Sequence, residues 1–288
     1  MPDRVFCYRV YCMKKIIVSI IFLSIIWAKA EAAAKYISLA PSTTEILFAL
    51  GLDKNIIGVS SYCNYPLLTK NKAKVGDFSH PNIETIISLK PDYIFCTGLE
   101  QAPVVEELRR LGFNLYVAYP KTMEELLKSI KDIGLITHKD KEALALIKNM
   151  QDDIEEISVK VRLIPQEKRV KVFVEIWHEP LMTAGAGSII DELIILAGGI
   201  NVAHDVPRPY CYFSAEKVIS LNPGCIIMAY MDKESPLRLV EGRFGWKNIE
   251  AVRNKRVFND INPDTLLRPG PRITQGLKEL YKRFYSQK

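Results

Sequence analysis

From residue 36 onward, short apolar runs alternate with stretches whose apolar positions recur at helical spacing. YISLA, from Tyr36, reads as a strand, and Pro41-Ser42-Thr43-Thr44 leads into a helix, EILFALG, that Gly51 stops. IIGVSS is the next strand, followed by a Tyr/Pro-rich loop and KVGDFSHP. Asn82 then caps a helix that ends near Lys90-Pro91, ahead of the buried strand YIFCTG. A further helix, VVEELRRLG, and strand, NLYVAY, complete this half. Strands alternating with helices of this length imply parallel βαβ units.

The pattern then starts over. VKVFVEIW reads as a strand, SIIDELIILAGG as a helix ending at Gly198, and CIIMAY and RVFND as strands. Between the halves, the chain from Lys139 to Ile164 holds no Gly or Pro and is rich in helix formers at helical spacing. That is one long helix rather than a flexible linker, which would be rich in Gly/Ser or Pro. The expectation is an α/β fold: two Rossmann-like lobes with parallel sheets, residues 33–138 and 165–288, joined by a backbone helix over 139–164.

The halves also share a motif. PNIETIISLKPDYIFC, residues 81–96, returns 132 positions later as FSAEKVISLNPGCIIM, residues 213–228. Glu84 falls on Glu216, Ile86 on Val218, Ser88 on Ser220, Leu89 on Leu221 and Pro91 on Pro223. Each glutamate stands in a first helical turn, two residues past a cap, Asn82 or Ser214. A first-turn acid complements the helix dipole, and singly that would explain either one. A twinned pair fits a pseudo-twofold protein meeting a twofold partner.

Composition changes this picture little: 48% apolar and 25% charged residues are ordinary for a globular chain of 288 residues. Residues 1–32 hold five basic and two acidic groups, so half of the formal charge of +6 sits there. No Lys/Arg cluster elsewhere is dense enough for a nucleic-acid track. At the N-terminus, Lys14 and Lys15 precede IIVSIIFLSIIW, which is too short for a spanning helix, and small residues follow as AKAEAAA. This is the form of a cleavable secretory signal over residues 1–32, with Met13 as a candidate start. No cysteine sits just after the apolar run, so the expected product is periplasmic and not lipid-anchored.

Cys63, Cys96, Cys211 and Cys225 remain after the leader, with no C-x-x-C spacing. Cys96 and Cys225 lie in strand-like runs as small hydrophobes. Cys63 and Cys211 sit in Tyr-rich loops, where an oxidising compartment leaves a disulfide open.

Ligand sites in such folds lie beyond the carboxyl ends of parallel strands and between domains. Aromatics gather there: Tyr62, Tyr65, Phe78, Trp177 and Tyr210 all occupy loops beside strand ends, offering flat surfaces for a planar ligand. His80 and His178 also follow strands and could ligate a metal within that ligand, while His138 begins the long helix. Neither a His-rich segment nor tight ligand spacing marks a bare-metal binder. An enzyme is not expected: the chain has no G-x-G-x-x-G, P-loop, G-x-S-x-G or H-E-x-x-H. Glu175 and Glu179 have no evident acid/base partner.

ISLAPSTTEILFALG, SSYCNYP, VGDFSHPNIETIISLKPD, VEIWHEPLMTAGAGSIIDELIILAGGINVA and DTLLRPGPR together resemble the corrinoid (cobalamin)-binding proteins of ABC importers. Their wider group of periplasmic binding proteins also carries haem and iron–siderophores. The resemblance covers nearly all of residues 35–282. It implies the class III periplasmic binding protein architecture, a monomer, and modest closure on a ligand. That ligand is cobalamin or another corrinoid, with haem or an iron–siderophore as the alternative. By motif match, Tyr62, Phe78 and Tyr210, with Trp177 beside them, flank the ring, and Asp264 and Arg268 hold its periphery. Glu84 and Glu216 would dock on the membrane permease dimer, which works with its ATPase subunits. Thr97 stands where some corrinoid binders have a tryptophan, and Ala197 and Leu277 where some have a disulfide.

Overall fold

The computed structural model describes residues 33–98, 101–230 and 237–285. The expected leader, with Met13 as its start, lies outside the described residues.

The first lobe runs β1 (Tyr36–Ser38), α1 (Pro41–Ala49), β2 (Ile56–Val59), β3 (Ala73–Lys74), α2 (Ile83–Leu89), β4 (Tyr93–Thr97), α3 (Ala102–Arg110), β5 (Leu115–Ala118) and α4 (Met123–Ile136). Its strands pair in the order β3-β2-β1-β4-β5, all parallel. The chain starts in the middle of the sheet, steps outward to β3, and crosses back to β4. The order therefore reverses between β1 and β4, and the crevice beyond the strand ends at such a point is where ligands bind. Ile37, Leu39, Ile86, Ile94, Cys96 and Leu108 are buried to the last atom and form the core between sheet and helices. Pro41 opens α1 at a position where its missing N–H is not needed.

The linking helix α5 (Asp140–Arg162) is 23 residues long, about 35 Å at 1.5 Å per residue. Ala143, Met150, Ile157 and Val161 are its buried positions, spaced by seven, seven and four, which keeps them on one stripe. Asp140 and Glu142 stand in its first turn and Lys160 and Arg162 in its last, matching the helix dipole at both ends.

The second lobe runs β6 (Lys171–His178), β7 (Leu181–Ala184), α6 (Ile189–Leu196), β8 (Ile200–Asn201), β9 (Tyr210–Tyr212), α7 (Ala215–Leu221), β10 (Cys225–Met228), α8 (Leu237–Glu241), α9 (Glu250–Arg253), β11 (Val257–Phe258), α10 (Asp264–Leu267) and α11 (Ile273–Tyr285). Its sheet has the order β11-β10-β6-β7-β9, with β8 also on β6. It is not wholly parallel as the alternating pattern implies: β6 and β7 form an antiparallel hairpin, and β9 pairs antiparallel with β7. His178-Glu179-Pro180-Leu181 is a tight reversal, so LMTA returns along β6 instead of entering a crossover helix. Phe173, Ile226 and Trp246 are fully buried in this lobe's core. Both lobes belong to one compact unit from Lys35 onward. Among the described residues, no helix is long and apolar enough to cross a membrane.

The repeated motif is a repeated structure. Asn82 and Ser214 cap α2 and α7, accepting from the backbone N–H of Thr85 and Lys217 at 2.8 and 3.1 Å. Ser88 and Ser220 each donate to the carbonyl three residues back. Ile86 and Val218 are both wholly buried. Glu84 and Glu216 are exposed on the two first turns.

Candidate ligand-binding cleft

A cleft of about 740 Å³ opens where the two lobes face each other. From the first lobe it is lined by residues at or just beyond the ends of all five strands: Ala40 to Ser42, Tyr62, Asp77 to His80, Thr97, and Tyr119 to Lys121. From the second it is lined by Ile176 and Trp177, Gly187 to Ile189, Pro209 and Tyr210, and Leu267 to Pro269.

Local rules explain how these side chains arrive. Asp77 accepts from the N–H of Ser79 at 2.8 Å and also from that of His80, a tight turn that holds Phe78 at the cleft. Tyr62 meets Phe78 edge to face, with centroids 6.4 Å apart at 73°. In the second lobe, β6 has an irregularity between Glu175 and Trp177 where it pairs with β7, so Ile176 is an extra residue. Such a bulge breaks the strict alternation of faces, and consecutive residues Ile176 and Trp177 both reach the cleft. The Trp177 indole N–H donates to Glu179 O at 2.8 Å, fixing the ring.

Of the residues singled out from sequence, Tyr62, Phe78, Trp177, Tyr210 and Arg268 line the cleft, and so does His80. Asp264 lies one step behind: its carboxylate is 3.0 Å from the Arg268 guanidinium. His178 is outside the lining, with its ring against Trp177 and Tyr230 and its Nδ1 buried without a hydrogen-bond partner. Glu84 and Glu216 are also outside it, on the exposed helix starts. Thr97 lines the cleft, its hydroxyl bonded to Ala118 O, and Tyr119 lies against the adjoining Gly98. An aromatic therefore stands beside Thr97 after all, from the next strand over. Tyr119 closes the run NLYVAY, just past β5, so the signal that marked the other rings would have found it.

Gln101 carried no such signal. Fully buried, it accepts from Thr97 N at 2.8 Å and donates to Leu39 O at 2.9 Å and Phe78 O at 2.8 Å. One side chain thus ties together the loops after β1, β3 and β4.

Charge at the cleft is mostly balanced. Arg268 is held by Asp264, by Asn64 Oδ1 at 2.7 Å and by Glu45 at 3.7 Å. Arg272 and Arg243 are committed elsewhere, to Glu45 and Glu175. Glu175 is fully buried; it receives two 2.6 Å bonds from Arg243 and one from the Tyr230 hydroxyl. Burial works against a charged Arg243, yet the bonds from Glu175 hold its pKa above the ordinary value. Burial, and then Glu175, push the Tyr230 hydroxyl far up. All four cysteines of the described residues are free, so Cys63 and Cys211 are not paired. Cys63 is buried, with Thr44 Oγ1 donating to its sulfur at 3.1 Å. His204 meets Asp191 at 3.0 Å, away from the cleft lining. No group of three or more His, Cys, Asp or Glu among the described residues is gathered for a metal ion.

The chain is 34% identical over 256 residues to an uncharacterized ABC transporter substrate-binding lipoprotein, YvrC, of Bacillus subtilis (strain 168), covering 87% of this chain and 80% of that one. It is 27% identical over 279 residues to the vitamin B12-binding protein of Vibrio vulnificus (strain YJ016), covering 95% and 98%. Among solved structures, a possible iron-binding (periplasmic solute-binding) protein from Staphylococcus epidermidis ATCC 12228 matches with a TM-score of 0.77 at 30% identity, covering 88% of this chain and 98% of that one. The periplasmic vitamin B12 binding protein BtuF of Vibrio cholerae matches with a TM-score of 0.75 at 27% identity, covering 88% and 96%. The periplasmic heme-binding protein RhuT from Roseiflexus sp. RS-1 shares the fold, with a TM-score of 0.76 at 24% identity over 88% and 98%. These likenesses make the chain a solute binder of an ABC transporter rather than an enzyme. The model of the periplasmic binding protein family matches residues 37–262, and the chain belongs to that family.

Proposed function

We propose that this protein captures cobalamin or another corrinoid in the inter-lobe cleft and delivers it to an ABC importer of the inner membrane. The observation that carries this reading is the cleft wall itself. Tyr62 and Phe78 on one lobe and Trp177 and Tyr210 on the other bound an open space of about 740 Å³, with the Arg268 guanidinium at its edge. Flat aromatic faces suit a planar macrocycle, and a guanidinium suits the amide or phosphate oxygens around it. The vitamin B12-binding relatives support the same choice. Haem is the second reading, favoured by the place of His80 in the lining. An iron–siderophore is less well served: of Arg208, Arg243, Arg268 and Arg272, only Arg268 lines the cleft.

Glu84 and Glu216 serve as the docking points for the two permease subunits. Each is exposed on a first turn, and among the described residues neither forms an ion pair. The chain is exported through its leader and works as a monomer.

The test is a calorimetric titration of the chain from about Ala33 with cyanocobalamin, with haemin and a ferric siderophore in parallel. The reading expects one-to-one binding of cyanocobalamin, weakened by Tyr210→Ala. Binding of haemin or the siderophore alone would replace the ligand. Glu84→Ala with Glu216→Ala is expected to abolish transport while leaving that titration unchanged.

A further inference from the structure

Just behind the cleft lining, the lobes are joined by a buried ion pair. Glu45 on α1 is four residues past Pro41, and Arg272 is four residues past Arg268, both of which line the cleft. Arg272 donates from Nε to Glu45 Oε2 at 2.8 Å and from Nη2 to Oε1 at 2.6 Å. The side chains are 3% and 11% exposed, so the pair is shielded from competing water and salt. The guanidinium lies 3.8 Å over the Tyr65 ring, which closes its remaining face. The bonds from Glu45 raise the pKa of Arg272 further above its ordinary value.

The same loop reaches the ligand side. Tyr62 lines the cleft, Cys63 is buried under α1, Asn64 accepts from Arg268, and Tyr65 covers Arg272. Asp264 lies between the arginines, 3.0 Å from Arg268 and 3.8 Å from Arg272. A second tie crosses between the lobes elsewhere: Glu192 on α6 accepts from Met123 N at the start of α4, at 2.6 Å.

We propose that Glu45, Tyr65 and Arg272 are positioning residues: their cross-lobe fork fixes the gap between the lobes and so aims Arg268 and Tyr62 at the ligand. A bidentate guanidinium–carboxylate pair has one geometry, unlike an apolar contact, which slides. Buried ion pairs are poor sources of net stability, and fixing one arrangement is their better-attested use. The part concerning the ligand rests on the function proposed above; the part concerning the gap does not.

Spin labels at Leu68→Cys and Lys217→Cys, in a Cys211→Ser background, report the inter-lobe distance. The chain with an intact fork is expected to give one narrow distance distribution. Arg272→Lys keeps the charge but loses the fork, and Tyr65→Leu removes only the covering ring. Both are expected to broaden that distribution and to weaken cyanocobalamin binding by roughly tenfold or more, since small misplacements of an orienting group are costly. Tyr65 is half exposed, so its replacement tests the idea even if Arg272→Lys does not fold. A distribution that stays narrow in the folded variants would overturn the proposal, whatever happens to affinity. If the protein binds neither cyanocobalamin nor haemin, the ligand reading fails and the distance measurement still decides the fork.

Discussion

Lys90 and Asn222, 132 positions apart, end their helices in the same left-handed conformation, with φ 50°, ψ 62° and φ 48°, ψ 64°. Neither is glycine, the residue that adopts this conformation without penalty, although asparagine tolerates it better than most. Lys90→Gly is therefore expected to stabilise the protein by about 1 kcal/mol. Asn222→Gly is expected to gain nothing, because it also removes the Oδ1 that accepts from Glu250 N at 2.8 Å. Urea unfolding of both variants checks the order; a loss of stability in Lys90→Gly would contradict it.

This pair also shows what the sequence made legible. The repeat could be read because its determinants are local: a cap, an acid in the first turn, a buried aliphatic two residues later, and a proline after the stop. Elements fixed by distant partners were not legible in that way. LMTA becomes a strand through its pairing with β6 and β9, and nothing in four residues announces antiparallel pairing. Gln101 and the Glu45–Arg272 fork depend on groups up to 227 positions away. The aromatic lining lay between, because rings after strand ends can be read locally while their convergence cannot.

Arg243 is the sole charged partner of the fully buried Glu175 among the described residues. Arg243→Ala would strand that carboxylate in the core, and the expected loss is about 3–5 kcal/mol. Replacing both residues by leucine is expected to recover much of it, because no unpaired charge remains. Guanidinium chloride unfolding of the single and double variants checks this; equal losses would count against it.

The four thiols of the described residues should differ sharply in reactivity. Burial pushes Cys96 and Cys225 up to about 12, so near neutral pH they hold almost no thiolate. Cys63 is raised as well, by burial first, while Cys211 is only partly buried. Of these four, a thiol-specific disulfide reagent is expected to label only Cys211 in the native chain, and all four after unfolding. Native labelling of Cys63 at a comparable rate would speak against this packing.

Glu192 gives a pH dependence with a definite sign. Burial first, and then Glu125, Asp191 and Glu124, raise its carboxyl above the ordinary 4.5, against the lowering effect of the Met123 N–H. A raised acid holds its proton more tightly when folded. Its contribution to stability is thus fully present below 4.5 and is lost as pH rises through the folded value. Glu192→Gln keeps an acceptor for Met123 and avoids that loss. Its Tm advantage over the parent is expected to open as pH rises from about 4 to about 7. A constant difference across that range would exclude the idea.

Gln101 carries a consequence for the timing of capture. Three of the loops that shape the cleft are cross-tied by its side chain before any solute arrives. The entropy of ordering those loops is surrendered when the chain folds and need not be surrendered again at each encounter. Solute capture therefore meets a first-lobe wall whose loops are already held in place.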